Sequence, residues 1–329
     1  GASTSGGYTV TYTIAAGGGC AQFTTTASVI VTAAPGATIT YSGSPYCNSG
    51  TSASVTLSGS AGGTYSASPS GLSINASNGT VTLGTSTPGA YTVHYMIVAG
   101  GGCGAYSTTT SIVVTAAPTA TIAYNGSPYC SGSPVANVIR TGSSGGTYSA
   151  VPAGMAINAI TGAIDPSASA PGLYTVTYTI AAGGGCAAFS TTASVTITAA
   201  PNATIAYNGS PYCNSGPTAS VTRTGSTGGT YSAVPAGLAI NASTGLISLG
   251  TSIPGTYTVT YLIAAGGGCA AFSTTALVTI TAAPSATIAY SGSPYCNSGS
   301  TASVTRTGSA GGTYSAVPAG LAINASTGL

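Results

Sequence analysis

The chain has 329 residues, of which only 1% are charged: three arginines, one aspartate and neither lysine nor glutamate. About a quarter of the residues of a typical soluble protein are charged. The composition of this chain therefore excludes acid-base catalysis, carboxylate calcium sites and a salt-sensitive nucleic-acid surface. Hydrophobic residues make up 43% of the chain and alternate with Thr and Ser in regular runs, which predicts a folded β-rich core. We therefore expect no enzyme, no catalytic residue, no metal site and no cofactor.

The whole chain is a tandem array with a period of 83 residues. A motif of the form ATIxYxGSPYC begins at Ala37, Ala120, Ala203 and Ala286. It predicts complete repeats at 37–115, 120–198 and 203–281. Residues 1–32 supply only the last strands of a partial repeat, and residues 286–329 supply only the first strands of another. Short proline-containing linkers join the copies.

The two partial repeats are complementary, because Gly1 aligns with Gly84 and Leu329 aligns with Leu246. Two interpretations follow. The chain is an excerpt of a longer tandem array, or it is a subunit that completes its neighbours head to tail by strand donation. Both interpretations predict a linear rod of stacked domains.

Within the first complete repeat, strand signals follow one another in chain order and are separated by Gly, Pro and Asn-Gly turn signals. Roughly seven short strands in a repeat of this length, without helical periodicity, predict an antiparallel β-sandwich of immunoglobulin type. The clearest strands are Thr38–Tyr41, Ser52–Leu57, Thr64–Ser66, Val81–Leu83, Tyr91–Val98 and a last one that ends at Thr115.

Tyrosines recur at fixed positions of every complete repeat. The tyrosine of G-x-Y-T-V begins the penultimate strand and is predicted to form the tyrosine corner of an immunoglobulin-like domain. The tyrosines of G-G-T-Y and of S-P-Y-C are expected to pack in the core or between domains, with surface aromatic ladders as the alternative. The predicted corner residues are Tyr8, Tyr91, Tyr174 and Tyr257.

The eight cysteines lie at intervals that alternate between 27 and 56 residues. No C-x-x-C cluster is present and His94 is the only histidine, so disulfides in an oxidising, extracellular setting are a better interpretation than zinc. The cysteines are Cys20, Cys47, Cys103, Cys130, Cys186, Cys213, Cys269 and Cys296.

Two disulfide pairings are compatible with a sandwich. The first turn and the last hairpin of one domain lie at opposite ends, so the topology favours bonds between neighbouring domains, Cys47–Cys186 and Cys130–Cys269. By the same offset, Cys213 and Cys296 would bond to the following segment, and Cys20 and Cys103 to the preceding one. An irregular first strand around Ser44-Pro45 would instead allow a bond within each domain, such as Cys47–Cys103 or Cys130–Cys186.

The rare charged side chains favour structural roles. Arg140, Arg223 and Arg306 share one repeat position where the first copy has Leu57, and we expect solvated edge-strand residues there, with an anionic-glycan site as the alternative. His94 replaces a threonine of the other copies and Asp165 is the only acid. Hydroxyl-rich surfaces suggest glycosylation on Ser or Thr. N-x-[ST] sequons begin at Asn75, Asn78, Asn125, Asn202, Asn208, Asn241 and Asn324.

The run from Gly229 to Tyr261, GTYSAVPAGLAINASTGLISLGTSIPGTYTVTY, resembles the immunoglobulin- and cadherin-like repeats of bacterial surface proteins. With their paired cysteines and G-G-G-C hairpins, the copies are similar to repeats of giant Bacteroidota cell-surface adhesins, including gliding adhesins exported by type IX secretion. The resemblance covers every copy and implies a secreted or cell-surface location. The acidic calcium ligands of cadherins are absent from the sequence, so calcium stiffening is not implied.

These observations lead to two functional hypotheses. The first is a structural stalk or extracellular filament of a cell-surface adhesin, whose partners are neighbouring repeats or copies of itself, head to tail. The second is a multivalent module that binds surface glycans, with ice binding by its threonine rows as a variant. Neither hypothesis involves nucleic acid, and no run of the sequence is apolar for long enough to span a membrane.

Overall fold

The computed structural model describes residues 3–329, and these contain β-strands and short 3-10 turns but no α-helix. The expected all-β fold of tandem immunoglobulin-like sandwiches is confirmed. Residues 1 and 2 of the predicted partial repeat 1–32 lie outside the described residues. The chain divides into two compact units, one holding the residues up to Ser127 with Pro134–Ile197, the other Pro128–Ser133 with Thr198–Leu329.

The strands recur in the same order in each copy. The first unit begins with β1 (Gly6–Ile14) and β2 (Phe23–Val31), followed by β3 (Ala37–Thr40), β4 (Tyr46–Cys47), β5 (Ser52–Ala53), β6 (Thr56–Gly59), β7 (Thr64–Ser68), β8 (Val81–Thr82), β9 (Gly89–Ile97) and β10 (Tyr106–Thr115). A 3-10 turn, Leu83–Thr85, lies between β8 and β9.

The next copy contributes β11 (Ala120–Ala123), β12 (Tyr129–Cys130), β13 (Ile139–Gly142), β14 (Thr147–Val151), β15 (Ala156–Ile157), β16 (Ile164–Asp165), β17 (Gly172–Ile180) and β18 (Phe189–Thr198). The following copy has β19 (Ala203–Ala206), β20 (Tyr212–Cys213), β21 (Thr218–Ala219), β22 (Thr222–Gly225), β23 (Thr230–Val234), β24 (Ile247–Ser248), a 3-10 turn at Leu249–Thr251, β25 (Gly255–Ile263) and β26 (Phe272–Thr281). The chain ends with β27 (Ala286–Ala289) and β28 (Thr305–Gly308).

In the first unit, one layer of the first complete repeat is a four-stranded sheet in the order β4-β10-β9-β7. Strand β4 runs parallel to β10, and the other neighbours are antiparallel. The other layer consists of the antiparallel pairs β3-β6 and β5-β8. The second unit repeats this plan with the sheet β20-β26-β25-β23 and the pairs β19-β22 and β21-β24.

The core lies between the two layers because each long strand alternates apolar and polar residues. Along β9, Tyr91, Val93 and Tyr95 are buried while their neighbours face outward. They pack against Ile39 of β3 and Ile112 of β10 in one continuous cluster. The corresponding cluster of the second unit contains Tyr257, Val259, Tyr261, Ile205 and Val278.

The segment Ser52–Leu57 does not form the single strand that the sequence predicts. It divides into β5, which pairs with β8, and β6, which pairs with β3. The chain changes partners between Ala53 and Thr56, so the ladder is interrupted although the side chains continue to alternate. Likewise, Leu83 of the predicted strand Val81–Leu83 belongs to the 3-10 turn.

Candidate functional site: the junctions between repeats

Cys47 lies at the end of its repeat from which the chain leaves for the next one. Strand β4 pairs with the last residues of β10, so that Cys47 is opposite Thr115. Asn48 secures both segments: its backbone N–H donates to Thr115 O at 2.9 Å, and its Oδ1 accepts from the N–H of Ala117 in the linker at 2.8 Å. The first turn of the repeat is thereby fixed beside the linker.

Cys186 lies in the last hairpin of the following repeat, in a tight Gly-Gly-Gly-Cys turn. Gly183 and Cys186 exchange backbone hydrogen bonds of 3.1 and 2.9 Å. Gly185 has a φ of +77°, and a Cβ at this position would collide with the carbonyl oxygen of Pro45. Glycine is therefore required both by the turn and by the close approach of the preceding repeat.

Two disulfides join neighbouring repeats, Cys47–Cys186 in the first unit and Cys130–Cys269 in the second. In each, the Cα atoms are 4.7 Å apart and the sequence separation is 139 residues. A bond from Cys47 to Cys103 is not formed, because Cys103 lies at the opposite end of the repeat, its Sγ 3.6 Å from the carbonyl oxygen of Ala33 in the preceding linker.

The other four cysteines are not in disulfides. Their bonds to preceding and following segments remain a prediction. Cys20 and Cys296 are exposed, whereas Cys103 and Cys213 are partly buried. Hydrogen bonds from Ser215 and Ser298 lower the pKa of the Cys213 and Cys296 thiols.

The predicted corner tyrosines make the contact that defines this motif. The hydroxyl of Tyr91 donates to the carbonyl oxygen of Thr87, four residues upstream, at 2.6 Å. Tyr174 and Tyr257 do the same to Ala170 and Ile253 at 2.7 and 2.6 Å. In the partial repeat, Tyr8 donates to Thr4 O at 2.6 Å, although its ring is exposed.

Arg140 and Arg223 each lie beside a pair of tyrosines and form what we call the Arg–Tyr groove. In the second unit it is an open cavity of about 650 Å³, lined by Arg223, Tyr231 and Tyr261. The Arg223 guanidinium lies 5.7 Å from the Tyr261 ring centroid, within cation–π range, and donates to the carbonyl oxygens of Gly225 and Ser226. Burial raises the pKa of Tyr231, and Arg223 offsets part of that rise.

The first unit repeats this groove at Arg140, Tyr148 and Tyr178, where the cavity is about 380 Å³ and the guanidinium lies 5.8 Å from the Tyr178 ring. In the first complete repeat, Leu57 takes the place of arginine beside Tyr65 and Tyr95. Sequence reasoning considered the arginines and the G-G-T-Y tyrosines separately, and it did not consider Tyr178 and Tyr261. Their common 83-residue period was the signal that could have joined them.

The single histidine and the single aspartate have local partners. His94 Nε2 lies 3.0 Å from Ser68 Oγ on the neighbouring strand. Asp165 accepts hydrogen bonds from the hydroxyl and N–H of Ser167, which lower its pKa. Within residues 3–329, no group of three or more His, Cys, Asp or Glu side chains is placed to hold a metal ion. The described chain has no helix long and apolar enough to cross a membrane.

No family model matches the chain, and neither does any curated protein. Among solved structures it is similar to the protocadherin gammaB7 EC3-6 cis-dimer, with 13% identity, a TM-score of 0.35, and coverage of 90% of this chain and 91% of that one. Drosophila N-cadherin EC1-4 matches with 13% identity and a TM-score of 0.29 over 84% and 83% of the chains. The four N-terminal Ig domains of Dscam1 isoform 4.44 match with 10% identity and a TM-score of 0.32 over 84% of this chain and 82% of that one.

Proposed function

We propose that the chain is a load-bearing stalk or filament segment of a bacterial extracellular adhesin, in which tandem sandwiches hold an adhesive tip away from the cell. The observation that carries this proposal is the pair of disulfides that each join one repeat to the next at the same 139-residue separation. A bond that stabilised a single domain would lie within that domain. These bonds instead join the two repeats at each junction, where neighbouring domains of an array would otherwise bend or separate under tension.

Stretching single molecules between their ends tests the proposal. With both disulfides intact, the shortest covalent path through the chain includes only about half of its backbone. A fully extended chain measures about 3.4 Å per residue, so the unfolded molecule should reach only about half of that length until reductant is added. The variant Cys47→Ser with Cys186→Ser should lose part of this protection, whereas the matched control Cys103→Ser should not. Equal unfolded lengths before and after reduction would contradict the stalk.

A second candidate function is multivalent binding of anionic glycans through the Arg–Tyr groove. It is supported by the recurrence of the groove with the same residues in two repeats. A guanidinium beside aromatic rings offers both charge and a stacking surface to a sulfated or carboxylated sugar. Binding at several grooves of one chain would be strengthened by multivalency.

The chain provides its own control for this second function, because Leu57 replaces arginine in the first complete repeat. Binding is measured on an array of sulfated and carboxylated oligosaccharides. Salt-sensitive binding should be abolished when leucine replaces Arg140, Arg223 and Arg306, and it should increase in the variant Leu57→Arg. Binding that is unchanged in the triple variant, or absent in the original chain, would exclude the groove as a glycan site.

A further inference from the structure

The last strand of each complete repeat has an edge that is open over most of its length. In the first, β10 pairs with β9 along nearly all of one side, whereas its neighbour on the other side, β4, has only two residues. The hydrogen bonds on that second side lie at the end of β10. The N–H of Val113 donates to Ser44 Oγ at 3.0 Å, and the carbonyl oxygen of Thr115 accepts from the N–H of Asn48 at 2.9 Å. Among residues 3–329, none makes a hydrogen bond to the earlier part of this side.

The alternation of a β-strand identifies the backbone groups that are left without a partner strand. Residues two apart in a strand direct their N–H and C=O groups to the same side. Ser107, Thr109 and Ser111 therefore direct theirs away from β9, as Val113 and Thr115 do. The side chains of these three residues are exposed on the outer face of the sheet. Their N–H and C=O groups form what we call the open edge.

The other complete repeats have the same open edge. The N–H of Thr196 donates to Ser127 Oγ at 3.0 Å, and that of Thr279 donates to Ser210 Oγ at 2.9 Å, as Val113 does to Ser44. The open edge is thus a property of the repeat. Its exposed residues are Ser190, Thr192 and Ser194 of β18, and Ser273, Thr275 and Leu277 of β26.

Other edges of the sandwich are protected. At the opposite edge of the four-stranded sheet, the N–H of Tyr65 in β7 donates to Ala76 O at 2.8 Å, so the segment around Ala76 covers this strand. In the other layer, Arg140 and Arg223 place a charge on β13 and β22. A covering segment, a charge or a proline normally prevents an edge strand from pairing with another chain. Strands β10, β18 and β26 contain neither a charged residue nor a proline.

We propose that the open edges of two copies of this chain pair side by side as antiparallel strands. The edge is self-complementary about its middle residue. With Thr109 opposite Thr109 of the second copy, Ser107 lies opposite Ser111, and each N–H of one edge faces a C=O of the other. Thr192 and Thr275 hold the same central position in β18 and β26, so any two of the three edges can pair. This inference goes beyond the proposed function, since it holds whether or not the chain bears load.

The chemistry of the open edge favours a second copy as the partner. Two such edges meet without repulsion between like charges, because none of the three strands is charged. Threonine and serine side chains that lie opposite each other on antiparallel strands also form favourable pairs. One pair of edges covers little surface, so its association should be weak and reversible. Three edges on one chain strengthen the association by multivalency.

A charge at the centre of every open edge tests the pairing. When lysine replaces Thr109, Thr192 and Thr275, identical charges would face each other, and the dissociation constant of self-association should rise about tenfold or more. Replacement of the same residues by glutamate should have the same effect. An equimolar mixture of the lysine and glutamate variants should associate again, because lysine then faces glutamate. Sedimentation velocity over a range of chain concentrations measures this, with the free thiols alkylated so that no disulfide joins two chains.

The matched control places lysine at Thr92, Thr175 and Thr258, which are exposed on the central strands β9, β17 and β25. It adds the same net charge away from the open edge. Across a pair of edges, two central strands would be about 14 Å apart, beyond the screening length of about 8 Å at physiological ionic strength. The control should therefore associate as the original chain does.

An original chain that stays monomeric at every concentration overturns the proposal. Self-association that is equally strong in the lysine edge variant also overturns it, because the contact would then lie elsewhere. So does a mixture of the lysine and glutamate variants that remains monomeric. Circular dichroism provides the folding control, since all variants should keep the strand signal of the original chain.

Discussion

Buried tyrosine hydroxyls make the main polar contacts inside each sandwich. Tyr41 Oη donates to Gly79 O at 2.5 Å, and Tyr124 and Tyr207 make the same bond to Gly162 and Gly245 at 2.6 and 2.5 Å. Burial, with smaller contributions from Tyr65 and Tyr46, raises the pKa of Tyr41 to about 12. The pKa of Tyr207 is raised in the same way. The hydroxyls of Tyr41 and Tyr207 therefore remain protonated in the folded state at a pH where free tyrosine ionises.

Stability should consequently fall in alkali. Below pH about 10, Tyr41 and Tyr207 are protonated in both the folded and the unfolded chain and contribute no pH dependence. Above pH about 10 the unfolded chain loses these protons, whereas the folded chain keeps them until the pH reaches its own, higher pKa values. The free energy of unfolding therefore falls over this range, by about 2 kcal/mol for each tyrosine. On the acid side little change is expected, because the chain has a single carboxyl side chain.

Urea midpoints measured between pH 3 and pH 11.5, with tyrosinate absorbance recorded in parallel, test this profile. Tyr207→Phe should reduce the alkaline slope. A decline in stability that begins below pH 9, or ionisation of all tyrosines near pH 10 in the folded protein, would contradict the assignment.

Sequence reasoning was most informative at positions that recur. The tyrosines of G-G-T-Y were expected to pack in the core, and Tyr65, Tyr148 and Tyr231 are buried, each with its ring centroid 4.7 Å from that of a second tyrosine. The second tyrosine lies on a neighbouring strand about 30 residues later in sequence, and no pattern within one strand reveals such cross-strand neighbours. The Arg–Tyr groove was missed for the same reason.

At the scale of the elements, the strand order was predictable but the pairing was not fully so. Alternation and turn residues located most strands of the first complete repeat, yet they gave Ser52–Leu57 as one strand where the chain changes partners between β5 and β6. Strand β4 has only two residues, Tyr46 and Cys47, which is too short for an alternating pattern. Because β4 places Cys47 beside the linker, the junction geometry could be argued only from topology.

The hairpin glycines at the junctions allow a matched test of this geometry. Gly185 and Gly102 have nearly equal positive φ values, +77° and +80°, so an alanine costs similar backbone strain at both. Only at Gly185 would the new Cβ collide with the preceding repeat, at Pro45. Overpacking of this kind costs about 1 to 3 kcal/mol, so Gly185→Ala should slow re-formation of the Cys47–Cys186 bond after reduction about fivefold or more.

Gly102→Ala serves as the control and should leave the rate of re-formation unchanged. Trapping of free thiols at timed intervals, followed by mass spectrometry, measures both variants. Equal rates would mean that the hairpin does not approach Pro45 closely in solution.

At the scale of the whole chain, the 83-residue period predicted the repeated fold from composition and spacing alone, because each copy must form the same sandwich from nearly the same residues. The disulfide pairing could not be predicted from the period alone, since the spacing of the cysteines allowed bonds within or between copies. Non-reducing peptide mapping should recover Cys47 linked to Cys186 and Cys130 linked to Cys269. Recovery of Cys130 linked to Cys186 would instead indicate independently cross-linked domains.

The two disulfides also overlap along the sequence, because Cys130 lies between Cys47 and Cys186, and Cys186 lies between Cys130 and Cys269. Three backbone segments, 47–130, 130–186 and 186–269, therefore connect the same two cross-links in parallel. A protease that cuts any one of them, or any two, leaves the N-terminal and C-terminal parts of the molecule covalently joined. Only a cut in all three separates the two parts, so the molecule should stay in one covalent piece after one or two proteolytic cuts between its cross-links.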